Sequence, residues 1–271
     1  MNTELIRAAR DKKLIPFIGA GFSKNLDLPS WDEVLSIIAD KLEWSPEVML
    51  SQGDHYQIAE YYKLVKRRSI AELRSELDKL FNDKSINVLD SEPHSLLVEL
   101  DAPIIYTTNW DTLIERAFQE HKKPYHVIRN LNDIIDAPRD ATHIVKFHGD
   151  FTGDDDDIVF TETSYFDRLD FQSALDIKLR SDILGRSVIF IGYSFRDINI
   201  RFLWYKLLKL IDIVSGHYIE DYPRSYILSL TPNSLQERLF RSKHIEVIEV
   251  QDVNPEQGLV TFLRELVQGV R

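Results

Sequence analysis

Leu14-Ile15-Pro16-Phe17-Ile18 is an unbroken apolar run that ends on Gly19-Ala20-Gly21-Phe22-Ser23. A short apolar run stopped by glycine suits a strand buried on both faces, and glycine directly after it lets the chain turn sharply. Apolar runs of the same kind recur at 103–106, 125–128, 143–147, 187–191, 225–230 and 245–250. Between them, apolar residues fall at helical spacing over 30–43, 111–120, 164–184, 197–213, 234–241 and 255–267. Strands alternating with helices specify an α/β protein: a Rossmann-like, doubly wound, mostly parallel sheet that presents ligand-binding loops at the carboxyl ends of its strands. A short further strand is expected at 158–160.

Residues 46–87 break the alternation, with helical spacing and no strand-like run. They read as a small helical subdomain inserted into an otherwise single domain over 1–271. Its stripe of Tyr56, Ala59, Tyr62, Leu73, Leu77, Leu80 and Phe81 serves packing, or forms a lid over a neighbouring site.

Composition removes whole classes of function. At 271 residues and 44% hydrophobic content, the chain can bury one large core. A formal charge of -11 and a pI near 5.2 oppose direct nucleic-acid binding, which needs clustered Lys and Arg. No apolar stretch reaches the roughly 20 residues of a membrane span, and Met1-Asn2-Thr3-Glu4 does not resemble a signal peptide, so a cytoplasmic location is expected. The absence of cysteine excludes disulfides, thiolate catalysis and cysteine-based zinc sites. The pairs His121/His126 and His143/His148 are each five positions apart, a spacing that fits neither one helix face nor one strand face, so no metal is expected. Asp154-Asp155-Asp156-Asp157 lacks the alternating ligand spacing of a calcium loop and reads as a solvated turn.

Four strand ends carry candidate chemistry. Gly19 and Gly21 allow the backbone to approach a pyrophosphate, or simply make a tight turn. Lys24 stands where a dehydrogenase fingerprint needs its third glycine, and no acidic strand end follows, so hydride transfer is disfavoured. Thr107-Thr108-Asn109-Trp110-Asp111 puts a neutral amide at a strand end, where it can hold a hydroxyl or a water; Asp111 also suits the start of the next helix. Phe147-His148-Gly149 places an imidazole at the sheet edge, where an ordinary pKa of about 6.5 would let it accept a proton. Gly192-Tyr193-Ser194 offers a further glycine and a hydroxyl, and Ser194 equally suits a helix cap.

These motifs, in this order, resemble the nicotinamide dinucleotide site of the sirtuins, and the chain as a whole resembles the zinc-less sirtuin-like domains of bacterial anti-phage defence. The resemblance implies that Gly19, Ala20, Gly21 and Ser23 wrap NAD+, that Thr107, Thr108, Asn109, Trp110 and Asp111 correspond to the family's Thr-Gln-Asn-x-Asp with Thr108 in place of the glutamine, that His148 and Gly149 correspond to its His-Gly, and that Gly192, Tyr193 and Ser194 correspond to its Gly-Thr-Ser. Leu28-Pro29-Ser30-Trp31 matches the family's Ile-Pro-Asp-Phe, which implies that Trp31 covers the nicotinamide, although Asp27 and Asp32 replace the flanking glycine and arginine. Too few residues separate His148 from Gly192 for a zinc ribbon, the module on which deacetylases clamp a peptide.

What the resemblance implies is hydrolysis of NAD+ to nicotinamide and ADP-ribose, with Asn109 holding water or ribose hydroxyls and His148 as general base. It further implies the toxic effector of an abortive-infection system, gated by homo-oligomerisation or by a separately encoded partner such as a HerA-type ATPase, a short Argonaute or a nucleotide-triphosphate pyrophosphatase. An NAD-dependent protein deacylase and a non-catalytic NAD or ADP-ribose sensor are the alternatives.

Overall fold

The computed structural model describes residues 2–67, 69–153, 158–170, 172–193, 201–202, 204–206, 208–209, 225–230, 233–250 and 254–271. Its centre is a sheet of seven strands: β1 (Leu14–Ile18), β2 (Ile104–Thr107), β3 (Tyr125–Ile128), β4 (Thr142–Lys146), β5 (Ser187–Ile191), β6 (Ser225–Ser229) and β7 (Ile245–Glu249). They lie in the order β3-β4-β2-β1-β5-β6-β7, and every pairing is parallel. The sheet is thus the Rossmann-like α/β arrangement expected from the alternation of strands and helices.

Period-two geometry explains why β1 reads as wholly apolar. Leu14 and Ile18 point into one core with Leu5, Leu97, Leu113, Phe118 and Leu263, while Ile15 and Phe17 point into another with Val145, Leu175, Leu179 and Phe190. Helices Thr3–Arg10, Glu92–Glu99, Leu113–Glu120 and Pro255–Val270 supply the first core; Ala174–Asp182 and Ser234–Arg241 supply the second. Both faces of the sheet are covered, so each central strand must be apolar on both sides.

Helices Pro46–Gln52, His55–Val65 and Ala71–Phe81 occupy the segment that breaks the alternation. Their apolar faces, with helix Trp31–Lys41, form a third core that also takes in Trp110, Phe151, Ile158 and Phe160 from the loops beyond β2 and β4. The helical segment therefore rests on the strand-end loops, not on the sheet.

Three expectations need correction. Residues 158–160 form no strand; the segment runs irregularly across the end of β4, with Val159 N–H donating to His148 O at 2.9 Å. The helix expected over 164–184 is two, Glu162–Leu169 and Ala174–Asp182, because Ser173 and Asp176 form a capping box that starts a new helix. Helices Thr3–Arg10, Glu92–Glu99 and Leu131–Ile135 were not anticipated; Asn2 caps the first, and the other two are too short to show clear periodicity. The helix expected over 197–213 lies largely outside the described residues.

Candidate functional site

The chain moves from β1 to β2 on one side of the sheet and later returns to place β5 on the other side of β1, so the strand order reverses at β1, the point where open α/β sheets bind ligands. The carboxyl ends of β1, β2, β4 and β5 carry the candidate motifs to this edge.

Backbone contacts hold the β1 and β5 loops together. Gly19 N–H donates to Ile191 O at 2.9 Å and Gly21 N–H to Gly192 O at 3.0 Å. A Cβ on Gly19 would stand 2.8 Å from Gly192 O and 2.9 Å from the Tyr193 ring. Gly192 has φ +77, and a Cβ there would stand 2.5 Å from Phe22 N. The glycines are required, first of all, because two backbones meet side by side. Ala20 and Gly21 open a 3-10 helix over Ala20–Leu26, and a cleft of about 280 Å³ leads from Gly21 and Phe22 past Lys24 and Asn25 to Asn254 and Pro255.

The β2 loop packs on this turn. Thr108 N–H donates to Ile18 O at 3.2 Å, and Thr108 Oγ1 shares a 2.7 Å hydrogen bond with the Tyr193 hydroxyl, which itself donates to Ile18 O at 3.0 Å. Asn109 is held by its own N–H on Thr107 Oγ1 at 3.0 Å and by Nδ2 on Gly19 O at 3.3 Å. Its Oδ1 is buried and has no hydrogen-bond partner among the described residues. His148, from β4, is in the same condition: it is 2% exposed, and its Nε2 is buried without a partner. Buried polar atoms are rarely left orphaned, so two of them at neighbouring strand ends mark a place built for something else.

His148 corrects the expectation of an exposed imidazole with an ordinary pKa. Burial and the nearby Arg168 guanidinium push it down to about 3, so the ring is neutral near pH 7. Its edge meets Tyr165 at 5.6 Å, and Tyr165 lies 3.9 Å from Tyr56 of the helical segment. Trp31 is half-buried in the same aromatic group, stacked on Phe160 at 5.7 Å and edge-on to Trp110 at 5.1 Å.

Ser23 points inward. It is buried, with Oγ 3.5 Å from Nε2 of His94, whose Nδ1 lies 2.7 Å from Ser91 Oγ. Ser194 lies outside the described residues. Asp111 does not cap the next helix from the Ncap position; Thr112 stands there, and Asp111 Oδ1 accepts from Leu113 N–H at 3.0 Å.

Beneath Asn109 lies a buried charge cluster that sequence reasoning missed, because nothing in the spacing of a lysine, an aspartate and a glutamate tells that they share one interior. Lys146, the last residue of β4, is fully buried; its Nζ donates to Asp111 O and lies 3.4 Å from Glu115 Oε1. Burial pushes both Asp111 and Glu115 above the usual carboxylate range, and Lys146 opposes this. Asp150 goes the other way: burial is outweighed by Lys146, by hydrogen bonds from Thr152 and by Arg129, whose Nε lies 2.8 Å away. Among the described residues no His, Asp and Glu cluster is arranged to hold a metal ion. No helix of the described residues is long and apolar enough to cross a membrane.

Two buried histidines make folding sensitive to acid. His94 and His148 are both pushed down to about 3, whereas an unfolded histidine takes a proton near 6.5, so their contribution is full above that value and is lost as pH falls towards 3. The raised Asp111 and Glu115 work in the opposite direction. His94→Gln should isolate the histidine share: in urea titrations between pH 6.5 and 4, the dependence of stability on pH should shrink by up to about 1.4 kcal/mol per pH unit.

The family model described as "SIR2-like domain" matches residues 103–248. Among curated proteins, the chain is 27% identical over 271 residues to "NAD(+) hydrolase ThsA" of Enterococcus faecium, covering 92% of this chain and 54% of that protein. It is 27% identical over 212 residues to "Defense-associated sirtuin 2" of Bacillus subtilis, covering 76% of this chain and 20% of that protein. It is 26% identical over 216 residues to "NAD(+) hydrolase ThsA" of Bacillus cereus (strain MSX-D12), covering 78% and 42%. The chain thus spans between a fifth and just over half of the length of these relatives. A crystal structure of Sir2 with an inhibitor, 2'-O-acetyl-ADP-ribose and a deacetylated p53 peptide aligns over 98% of both chains at 14% identity, with a TM-score of 0.44. With more than half of its length matched by the family model, including the Asn109 and His148 loops, the chain belongs to the SIR2-like domain family.

Proposed function

We propose that the chain is an NAD+ hydrolase and that the carboxyl edge of the sheet around β1 is its active site. The observation that carries the reading is the pair of buried, unpartnered polar atoms, Asn109 Oδ1 and His148 Nε2, at the ends of strands neighbouring the Gly19–Gly21 turn. The names of the curated relatives support the substrate.

In this reading Gly19, Ala20 and Gly21 face the pyrophosphate, and the cleft beyond Gly21 takes the adenosine end. Thr108 and Asp111 brace the loop that carries Asn109, Gly192 completes the floor, and Trp31 closes the nicotinamide side with the aromatic group of the helical segment. Ser23 acts indirectly, by tying the glycine turn to His94. Asn109 Oδ1 accepts from water or a ribose hydroxyl, and His148 Nε2 accepts from the other. The bond between C1′ and the nicotinamide nitrogen breaks, its electron pair leaving with nicotinamide; the water oxygen bonds to C1′, and its proton passes to His148 and then to solvent. An imidazole pushed down to about 3 is a weak base, so positioning by the two acceptors does more than proton transfer. His148 stays neutral down to low pH, so the acidic limb of the kcat/KM profile attributable to it is expected well below pH 6.5.

The same reading makes the chain the toxic effector of an abortive-infection system, in line with the defence name of one relative. An enzyme that destroys NAD+ in its own cytoplasm must be held silent, and we propose that self-assembly or a separately encoded partner does this. A protein deacylase of the zinc-ribbon type has no support from a sequence without cysteine.

The test follows NAD+ by chromatography with the wild-type protein, alone and with the product of any neighbouring gene. Matched release of nicotinamide and ADP-ribose without any peptide is expected. NAD+ that binds but survives every condition overturns the hydrolase in favour of a sensor, and release that depends on an acylated peptide overturns it in favour of a deacylase.

A further inference from the structure

Asn109 and His148 stand on different loops; the backbone ladder between β2 and β4 runs as far as Thr107 and Lys146, with Phe147 N–H donating to Thr107 O at 2.8 Å, and ends just short of both side chains. The loop after β2 continues through Trp110 and Asp111 before helix Leu113–Glu120 begins, and the β4 loop turns at once into Gly149. Beyond that point the Trp110 and Phe151 rings meet at 5.5 Å, and one buried polar side chain also crosses from β4 to the β2 loop. Lys146, two residues before His148, reaches from β4 to the carbonyl of Asp111, two residues after Asn109, and to the carboxylate of Glu115 one turn into the helix.

We infer that Lys146 is a positioning residue that locks the Asn109 loop to the His148 strand. A lysine with no exposed surface is rare unless its charge is needed, and here it faces Asp111, Glu115 and Asp150. Arg129 serves Asp150 directly, which leaves Lys146 as the described cation against Asp111 and Glu115. The Glu115 carboxylate makes no hydrogen bond among the described residues, so charge alone ties it to the ammonium. The hydrogen bond to Asp111 O is different in kind, because a backbone carbonyl needs no counter-ion. It fixes the height of the loop, and the Asn109 amide lies against the Asp111 carboxylate and on Gly19 O. Charge neutralisation and loop placement are therefore separable functions of one ammonium.

The inference rests on the hydrolase reading for its kinetic readout, and the experiment separates the two. Wild type, Glu115→Gln, Lys146→Gln and the double variant Lys146→Met/Glu115→Gln are compared as full-length protein, under the condition that activates wild type. In the double variant the deleted charges match, so its melting temperature should return most of the way to that of wild type. A methionine cannot donate to Asp111 O, so kcat should stay at least tenfold below Glu115→Gln while KM for NAD+ changes less than threefold. Lys146→Gln, a shorter neutral donor, should recover part of the loss, and it serves as the test if the methionine variant does not fold. A double variant that regains kcat along with stability overturns the proposal. Hydrogen exchange of residues 108–112 gives a reading free of catalysis: protection should fall in the double variant relative to Glu115→Gln. If wild type never cleaves NAD+, the hydrolase reading fails and this exchange decides the positioning role by itself, unchanged protection overturning it.

Discussion

Asn109→Ala and His148→Ala are each expected to slow NAD+ cleavage by at least about a hundredfold without unfolding the protein. Each substitution removes a polar atom that has no partner of its own, Oδ1 in one case and Nε2 in the other. Deleting an orphaned atom strands nothing; Asn109→Ala also removes Nδ2, whose acceptor Gly19 O keeps the Phe22 N–H, so its cost stays within about 1–3 kcal/mol. His148→Phe sharpens the test. It keeps a ring against Phe147 and Tyr165, removes a buried nitrogen, and should melt no lower than wild type while losing turnover. Chromatography of NAD+ products beside thermal melting checks both halves. A His148→Phe protein that is stable and still cleaves NAD+ at the wild-type rate would remove His148 from the mechanism.

Gly192→Ala carries the largest expected effect on stability. Residue 192 sits at φ +77, where an L-residue costs about 1–2 kcal/mol, and its Cβ would lie 2.5 Å from Phe22 N and 2.7 Å from Gly19 O. Those neighbours are backbone and cannot rotate away, so forcing them apart adds about 1–3 kcal/mol. Gly185→Ala supplies the control, because Gly185 has φ +75 with nothing within 4 Å of its virtual Cβ. Urea denaturation should show Gly185→Ala losing only the first contribution and Gly192→Ala losing both. Gly192→Ala should also weaken ADP-ribose binding, since the displaced backbone is the glycine turn itself. Equal losses for the two variants would mean that the β1 and β5 loops do not meet as described.

Much of the framework is legible in the sequence. Strands β1, Leu14–Ile18, and β5 match their apolar runs residue for residue, because a strand buried on both faces is apolar along its length and glycine marks its end; the half-buried edge strand β3 matches as well, with Pro124 before it. Continuous helical spacing over 164–184 conceals a break; only the local bond between Ser173 and Asp176 shows where a new helix begins. Residues 158–160 form a short apolar run like that of a strand, yet Ile158 and Phe160 pack into the core of the helical segment.

By itself, then, the sequence determined the parallel α/β sheet, the order of its loops and the residues Gly19, Asn109 and His148 that gather at one edge, because apolar periodicity and strand-end residues are local properties of the chain. Whether an imidazole is exposed or buried, which way Ser23 turns, and that Lys146, Asp111 and Glu115 share one interior were decided only by tertiary structure. Burial, and the charge balance that follows from it, depend on what residues distant in sequence bring alongside, and no spacing along the chain records that.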